Sequence, residues 1–314
     1  MALKIACAAL ALFLIFELLP AIVMTWYAFR RRDPADFDER PRALDAAPYA
    51  RFKERILSDM ACARSLPLET VHIKARDGVE LSAEWLGLDK RRTVIFLHGY
   101  CSTPMNNFCS LLHYFRESGW NVLMPYQRGH CKSGGGATTL GLRERYDLVE
   151  WLKWAADKTG AAPVLLYGIS MGGATVAAAS ELIQNGGVRA AVIDAGYDSP
   201  YEQFKHQCII RHTPWRIVLP IVTLLGRLAL GVDAHEDFSE KLKSNSIPTL
   251  FIYQKNDAAV PIECGRKCYE KCGGSKQWIE LDNGGAHAMT FIAGGDAIKR
   301  QLSNFVEKQN WEED

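Results

Sequence analysis

A serine hydroxyl is a poor nucleophile near neutral pH and needs help from its surroundings. One serine here has them. Gly168-Ile169-Ser170-Met171-Gly172 lies between the apolar run Val164–Tyr167 and the small-residue run Gly173–Ala179. Gly-x-Ser-x-Gly also occurs in ordinary glycine-rich loops, so its flanks decide its meaning. A strand before and a helix after are the context it requires. On such a sharp turn the hydroxyl stands above the sheet edge. Gly168 and Gly172 lack a Cβ, which lets the turn close and the helix pack tightly. The Met171 amide, at the start of that helix, points to where a carbonyl oxygen becomes negative.

The serine needs a base to take its proton and a carboxylate to orient that base. His287 ends Gly284-Gly285-Ala286-His287, just after the last apolar run, Trp278–Leu281. Asp257 lies in Gln254-Lys255-Asn256-Asp257, after another run. Asp194 and Asp282 are rival carboxylates. The Leu97-His98-Gly99-Tyr100 loop brings backbone amides close to the serine, and Tyr100 N–H is the expected second oxyanion donor beside Met171. His98 is read as a structural loop histidine. The loop Pro125–Gly135 has glycines and a lysine but not the Gly-x-x-x-x-Gly-Lys-Ser/Thr spacing, which excludes nucleotide binding. Its Arg128 and His130 are expected to brace the site.

These residues need a frame. Thr70–Lys74 and Val79–Trp85 alternate around Asp77-Gly78, a two-strand hairpin with an Asp-Gly turn. Then come six short apolar runs: Thr93–Leu97, Trp120–Met124, Val164–Tyr167, Ala190–Ile193, Thr249–Tyr253 and Trp278–Leu281. Helix-length segments separate them, the pattern of buried parallel strands with helical crossovers. Tyr49–Ser65 is predicted to be an amphipathic helix, with Phe52, Ile56, Met60 and Ala63 on one face.

Lys plus Arg number 37 and Asp plus Glu 36, a net charge of +1 with no basic patch, which argues against nucleic acid. Nine cysteines cannot all pair within one chain. Cys264, Cys268 and Cys272 form a helix stripe with no histidine in the spacing, so no metal is expected. Cys101 and Cys131 lie in loops near the serine, where a disulfide or redox-sensitive pair is an alternative. Ile5–Phe29 is almost wholly apolar, interrupted by Glu17 and Pro20 and followed by Arg30-Arg31-Arg32. That length spans a bilayer, and no Ala-x-Ala-like cleavage site precedes the arginines. A single-pass anchor over 1–32 and a cell-membrane location follow. The arginines favour a cytoplasmic domain, whereas Lys4 and the amino terminus favour the opposite side. Residues 33–68 read as a linker with the amphipathic helix.

Taken together, His98-Gly99, Arg128-Gly129-His130, Gly168–Gly173, Asn256-Asp257 with Val260-Pro261, and His287 resemble the serine α/β-hydrolases. Ala195–Pro200 with Gln203-Phe204 is similar to their bacterial membrane-anchored esterase and serine-aminopeptidase-like group. The resemblance covers about 69–306. It implies an α/β-hydrolase fold: an eight-stranded, mostly parallel sheet with helices on both faces, filling 69–314. Ser170, Asp257 and His287, in that chain order, become nucleophile, orienter and base, with the Tyr100 and Met171 amides as oxyanion donors. Two departures are Cys131, where Arg-Gly-His is usually followed by Gly, and Gln254, where a glycine is usual.

Some fifty residues, about 197–247, lie between two strands and are read as a helical cap. Its apolar Trp215–Leu230 is expected as a buried helix, with an acyl-binding wall or membrane-touching lid as the sharper alternative. The function expected is hydrolysis of carboxylic esters through an acyl-enzyme, on a small-molecule ester or acyl substrate and without a cofactor. The alternatives are a peptidase on the same three residues and a non-catalytic membrane-tethered binder.

Overall fold

The strands are β1 Glu69–Lys74, β2 Glu80–Leu86, β3 Thr93–Leu97, β4 Asn121–Pro125, β5 Val164–Ile169, β6 Val188–Asp194, β7 Thr249–Gln254 and β8 Lys276–Leu281. They form one sheet in the order β1-β2-β4-β3-β5-β6-β7-β8. β1 runs antiparallel to β2 and β2 to β4, and every later pairing is parallel. This computed structural model describes residues 1–314 except Pro48, 89–90, 185–186, Asn283, 285–286, Asn310 and 312–314. It also leaves out the side chains at 3, 6, 8–14 and 16–18.

The helices are α1 Ala2–Phe29, α2 Lys53–Arg64, α3 Pro104–Glu117, α4 Glu144–Thr159 and α5 Met171–Ala179. There follow α6 Pro200–Ile210, α7 Trp215–Leu230, α8 Phe238–Lys241, α9 Ile262–Lys271 and α10 Thr290–Glu307. The predicted helix over 49–65 is a 3₁₀ turn, Ala50–Phe52, followed by α2, which buries Ile56, Asp59, Met60 and Ala63. Asp59 is tolerated there because it accepts from Arg55 and from the Ser110 hydroxyl.

The central strands are buried throughout, which is why they read as unbroken apolar runs. Their alternate side chains feed two cores. Val94 and Phe96 point to the face covered by Phe108, Leu112 and Phe115 of α3, Leu302 and Phe305 of α10, and Met60 of α2. Ile95 and Leu97 point to the other face, with Leu148 and Trp151 of α4 and Val176 of α5. Each such apolar side chain contributes on the order of 1.5–3 kcal/mol when fully buried.

The N-terminal helix differs from a free membrane span. Among the described residues, no helix is long and apolar enough to cross a membrane. Several side chains of the expected anchor lie outside the described ones. The described end of α1 is part of the protein body: Ala21, Ala28 and Phe29 are buried in the core, Phe29 packs edge-on to Phe204, and α1 lies against α7. Immediately after it, the chain pairs with the loop at 129–138, through bridges Arg30–Ala137 and Arg32–His130.

Candidate active site

Ser170 closes β5 and precedes the first residue of α5. Its backbone sits at φ 55°, ψ −113°, a conformation that costs a non-glycine residue about 1–3 kcal/mol. The surroundings hold it there. Ser170 N–H donates to the Asp194 carbonyl at 2.8 Å, and its own carbonyl accepts from Ala174 N–H at 2.9 Å. A Cβ on Gly172 would lie 1.8 Å from the Leu97 carbonyl oxygen, and one on Gly168 2.3 Å from that of Gly172. Both glycines are therefore required by close backbone approach.

His287 and Asp257 come from the loops after β8 and β7, and the fold brings both to the serine. Ser170 Oγ lies 2.8 Å from His287 Nε2, and His287 Nδ1 lies 2.6 Å from Asp257 Oδ2. With the imidazole proton on Nδ1, the histidine donates to the carboxylate and accepts from the serine. Asp257 Oδ1 accepts from Ala259 N–H at 2.8 Å and Val260 N–H at 3.1 Å. Burial alone would raise the Asp257 pKa. The hydrogen bond and charge of His287, with those two amides, outweigh burial and hold it below the usual carboxylate value.

The two rival carboxylates sit elsewhere. Asp282 is exposed and pairs with Lys255 at 3.0 Å. Asp194 is fully buried, and its Oδ2 accepts from the Tyr167 hydroxyl at 3.1 Å and from the Thr290 hydroxyl. It thus links the serine turn, through its backbone, to the start of α10 beyond His287.

The loop after β3 approaches closely: a Cβ on Gly99 would lie 3.3 Å from Ser170 Cβ. Gly99 N–H donates to Asn107 Oδ1 at 2.8 Å, and Cys101 N–H donates to His130 Nε2 at 3.2 Å. Among the described residues, neither Tyr100 N–H nor Met171 N–H makes a hydrogen bond. His98 is wholly buried; its Nδ1–H donates to the Gly99 carbonyl and its Nε2 accepts from Gln127 N–H. Burial, reinforced by His130, lowers its pKa to about 3, so it stays neutral. Arg128 forks onto Asp147 and reaches Asp77 at 2.7 Å, tying its loop to α4 and to the β1–β2 turn.

Ser170 and His287 open onto a cavity of about 210 Å³. Its polar lining includes Asn106, Asn107, Ser110, Asp194 and Thr290. It is also lined by apolar side chains, of which Phe37 comes from the stretch read as a linker and Tyr49 and Ile56 from the predicted amphipathic helix. Sequence reasoning missed these residues. The signals that hold them are side-chain bonds across long separations: Phe37 N–H to Asn106 Oδ1 at 2.8 Å, and Asp36 accepting from Thr103, the N-cap of α3. No residue of 197–247 lines this cavity. The expected cap segment carries α6, α7 and α8; α7 buries Val218, Leu219, Val222 and Gly226 and packs on α1, with Gly226 against the Phe29 ring.

All nine cysteines are free, so the alternative of a Cys101–Cys131 disulfide is corrected. Burial, then Asp36 and Asp33, pushes the Cys131 thiol up to about 12. Cys131 also stands at φ 44°, the left-handed region that explains why a glycine is usual there. Among the described residues no group of three or more His, Cys, Asp or Glu could hold a metal ion.

Comparison with known proteins agrees with the fold. A family model described as alpha/beta hydrolase fold matches residues 92–207. The uncharacterised protein YqkD of Bacillus subtilis is 28% identical over 229 residues, 71% of this chain and 73% of that protein. The lysophosphatidylserine lipase ABHD12 of Rattus norvegicus is 24% identical over 234 residues, 68% of this chain and 56% of that one. Among solved structures, the Pyrococcus furiosus esterase Pf2001 is similar with a TM-score of 0.66 at 20% identity, covering 90% of this chain and 99% of that one. At that identity the likeness concerns the fold alone. The sheet order and the serine turn agree with the family match, and the chain has the α/β-hydrolase fold.

Proposed function

We propose that this protein is a serine hydrolase that cleaves carboxylic esters through an acyl-enzyme. The observation that carries the reading is the hydrogen-bond chain from Ser170 Oγ through His287 to Asp257, at 2.8 and 2.6 Å. Ser170 Oγ attacks the ester carbonyl as His287 Nε2 takes its proton, and Asp257 stabilises the imidazolium. The carbonyl oxygen, now negative, is received by the amides of Tyr100 and Met171. The tetrahedral species collapses, His287 passes the proton to the leaving alkoxide, and Ser170 holds the acyl group. Water, deprotonated by His287, then releases the acid and restores the serine.

An ester is favoured over a peptide because Phe37, Tyr49, Ile56, Leu111 and Phe291 give the cavity an apolar wall. Esterase and lipase names among the relatives and structural neighbours point the same way. A fluorophosphonate probe tests the nucleophile: wild type labels and Ser170→Ala does not. Labelling retained in that variant overturns it. A series of p-nitrophenyl esters from acetate to decanoate tests the apolar wall, with turnover rising beyond acetate. Strict acetyl preference, or faster cleavage of aminoacyl amides, counts against it.

The N-terminal helix is proposed as the membrane element. Ile15, Leu19, Ile22, Val23 and Trp26 of α1 are exposed, as are Ile217, Leu224 and Leu228 of α7. Neither 18–32 nor 203–232 contains an acidic residue, and Arg30, Arg211, Arg216 and Arg227 flank the apolar side chains. Apolar area with surrounding arginines suits an anionic lipid surface.

A further inference from the structure

Arg32 is 5% exposed, although it follows a helix outside the sheet. Its Nε donates to the Tyr100 hydroxyl at 3.0 Å, and its terminal nitrogen reaches that hydroxyl and the Tyr27 carbonyl. The Tyr100 hydroxyl in turn donates to the Tyr27 carbonyl at 2.9 Å. The guanidinium lies 4.2 Å from the Tyr27 ring centre and 5.0 Å from that of Tyr100. Its backbone is fixed as well: Arg32 N–H donates to the Gly129 carbonyl at 2.7 Å, and its carbonyl accepts from Cys131 N–H at 3.0 Å.

Three consecutive residues of the loop after β3 are thus held separately. Asn107 holds Gly99 by its amide, Arg32 holds Tyr100 by its side chain, and His130 holds Cys101 by its amide. Cys101 needs such a hold, since it sits at φ 54°. The amide left unengaged in the middle is that of Tyr100. A donor aimed at a developing oxyanion acts only if its direction is fixed before the reaction.

We infer that Arg32 is a positioning residue for the oxyanion site, acting through Tyr100, so that the segment after α1 belongs to the catalytic apparatus. The inference rests on the hydrolase reading above. The test uses full-length Arg32→Met, Tyr100→Phe and the double variant on p-nitrophenyl butyrate. Each single change lowers kcat roughly tenfold with KM within about twofold, less than complete loss of an oxyanion donor costs. The double variant loses no more than either single one, because both changes break one link. Affinity for an arylboronic acid, which becomes tetrahedral on the serine, falls by the same factor, and the pH profile of kcat/KM stays in place. A kcat for Tyr100→Phe within about twofold of wild type, multiplicative losses in the double variant, or unchanged boronate affinity overturns the inference. If Arg32→Met does not melt cooperatively, Tyr100→Phe, which removes one hydroxyl, decides. A wild type that fluorophosphonate does not label sinks the hydrolase reading instead. A labelled wild type with unaffected variants overturns only the role of Arg32.

Discussion

Asp194 ends β6 and Asp257 lies in the loop after the neighbouring β7; both side chains are buried, yet their environments push them in opposite directions. Asp257 is held below the usual value because His287 and two amides outweigh its burial. For Asp194, burial dominates over the hydroxyls of Thr290 and Tyr167 and raises the pKa to about 7, with no partner for Oδ1 among the described residues. The unfolded carboxylate titrates near 3.9. Asp194 therefore contributes stability that is complete below the unfolded value and is lost as pH rises through about 7. Asp194→Asn removes the titration while keeping an acceptor for Thr290. Urea unfolding at pH 5 and pH 8 is expected to show wild type losing more stability than the variant, by at most a few kcal/mol. Parallel losses contradict this. Asp257 has the reverse sign: its stabilisation is present at neutral pH and lost as pH falls through its lowered value. For catalysis, Asp257→Asn is expected to lower kcat by about 10³–10⁴-fold, because the neutral amide no longer enforces the productive tautomer or stabilises the imidazolium. Steady-state kinetics with KM recorded separately check it.

At the scale of elements, the turn between β5 and α5 is the least forgiving part of the fold. Gly172→Ala would force a methyl group onto the Leu97 carbonyl at 1.8 Å, and backbone cannot move aside as a flexible side chain can. The variant is expected to lose several kcal/mol or fail to fold, read as a lost or strongly shifted thermal transition in circular dichroism. A near-native melting temperature contradicts the crowding argument. This turn and the strands were legible in the sequence because both follow from local rules. Thr93–Leu97 matches β3 residue for residue, since a strand buried on both faces must be apolar throughout. Trp120 was expected in β4, but the strand begins at Asn121, and Trp120 packs against Phe115 and Trp311 beside its start. What was illegible depends on distant partners. Asn107 is one polar residue in a helix until the fold sets it beside Gly99. Phe37 looks like a linker residue because no periodicity marks a short segment pinned by a single hydrogen bond.

For the whole molecule, α1 packs on α7, and at its described end Ala21, Ala28 and Phe29 join the core while Ile22, Val23 and Trp26 are exposed. Leu224 and Leu228 are exposed, so Leu224→Lys with Leu228→Lys is expected to leave the melting temperature and turnover of a water-soluble ester near wild type. Association with phosphatidylserine-containing vesicles, measured by flotation, is expected to fall, in line with the proposed membrane element. Unchanged flotation contradicts a contact through α7. The anchor over 1–32 was inferred from hydropathy, which cannot register that Ala21, Ala28 and Phe29 are claimed by the protein's own core.

The cavity wall has a practical consequence. Phe37, Tyr49 and Ile56 all precede β1, whereas Ser170, Asp257 and His287 all follow it. Part of the cavity's apolar lining is therefore encoded apart from the reacting groups, while Leu111 and Phe291 add to it from beyond β1. Exchanging the stretch from Asp33 to Arg64, with its contacts at Thr103 and Asn106 preserved, is a route to altered acyl choice that leaves the reacting groups untouched.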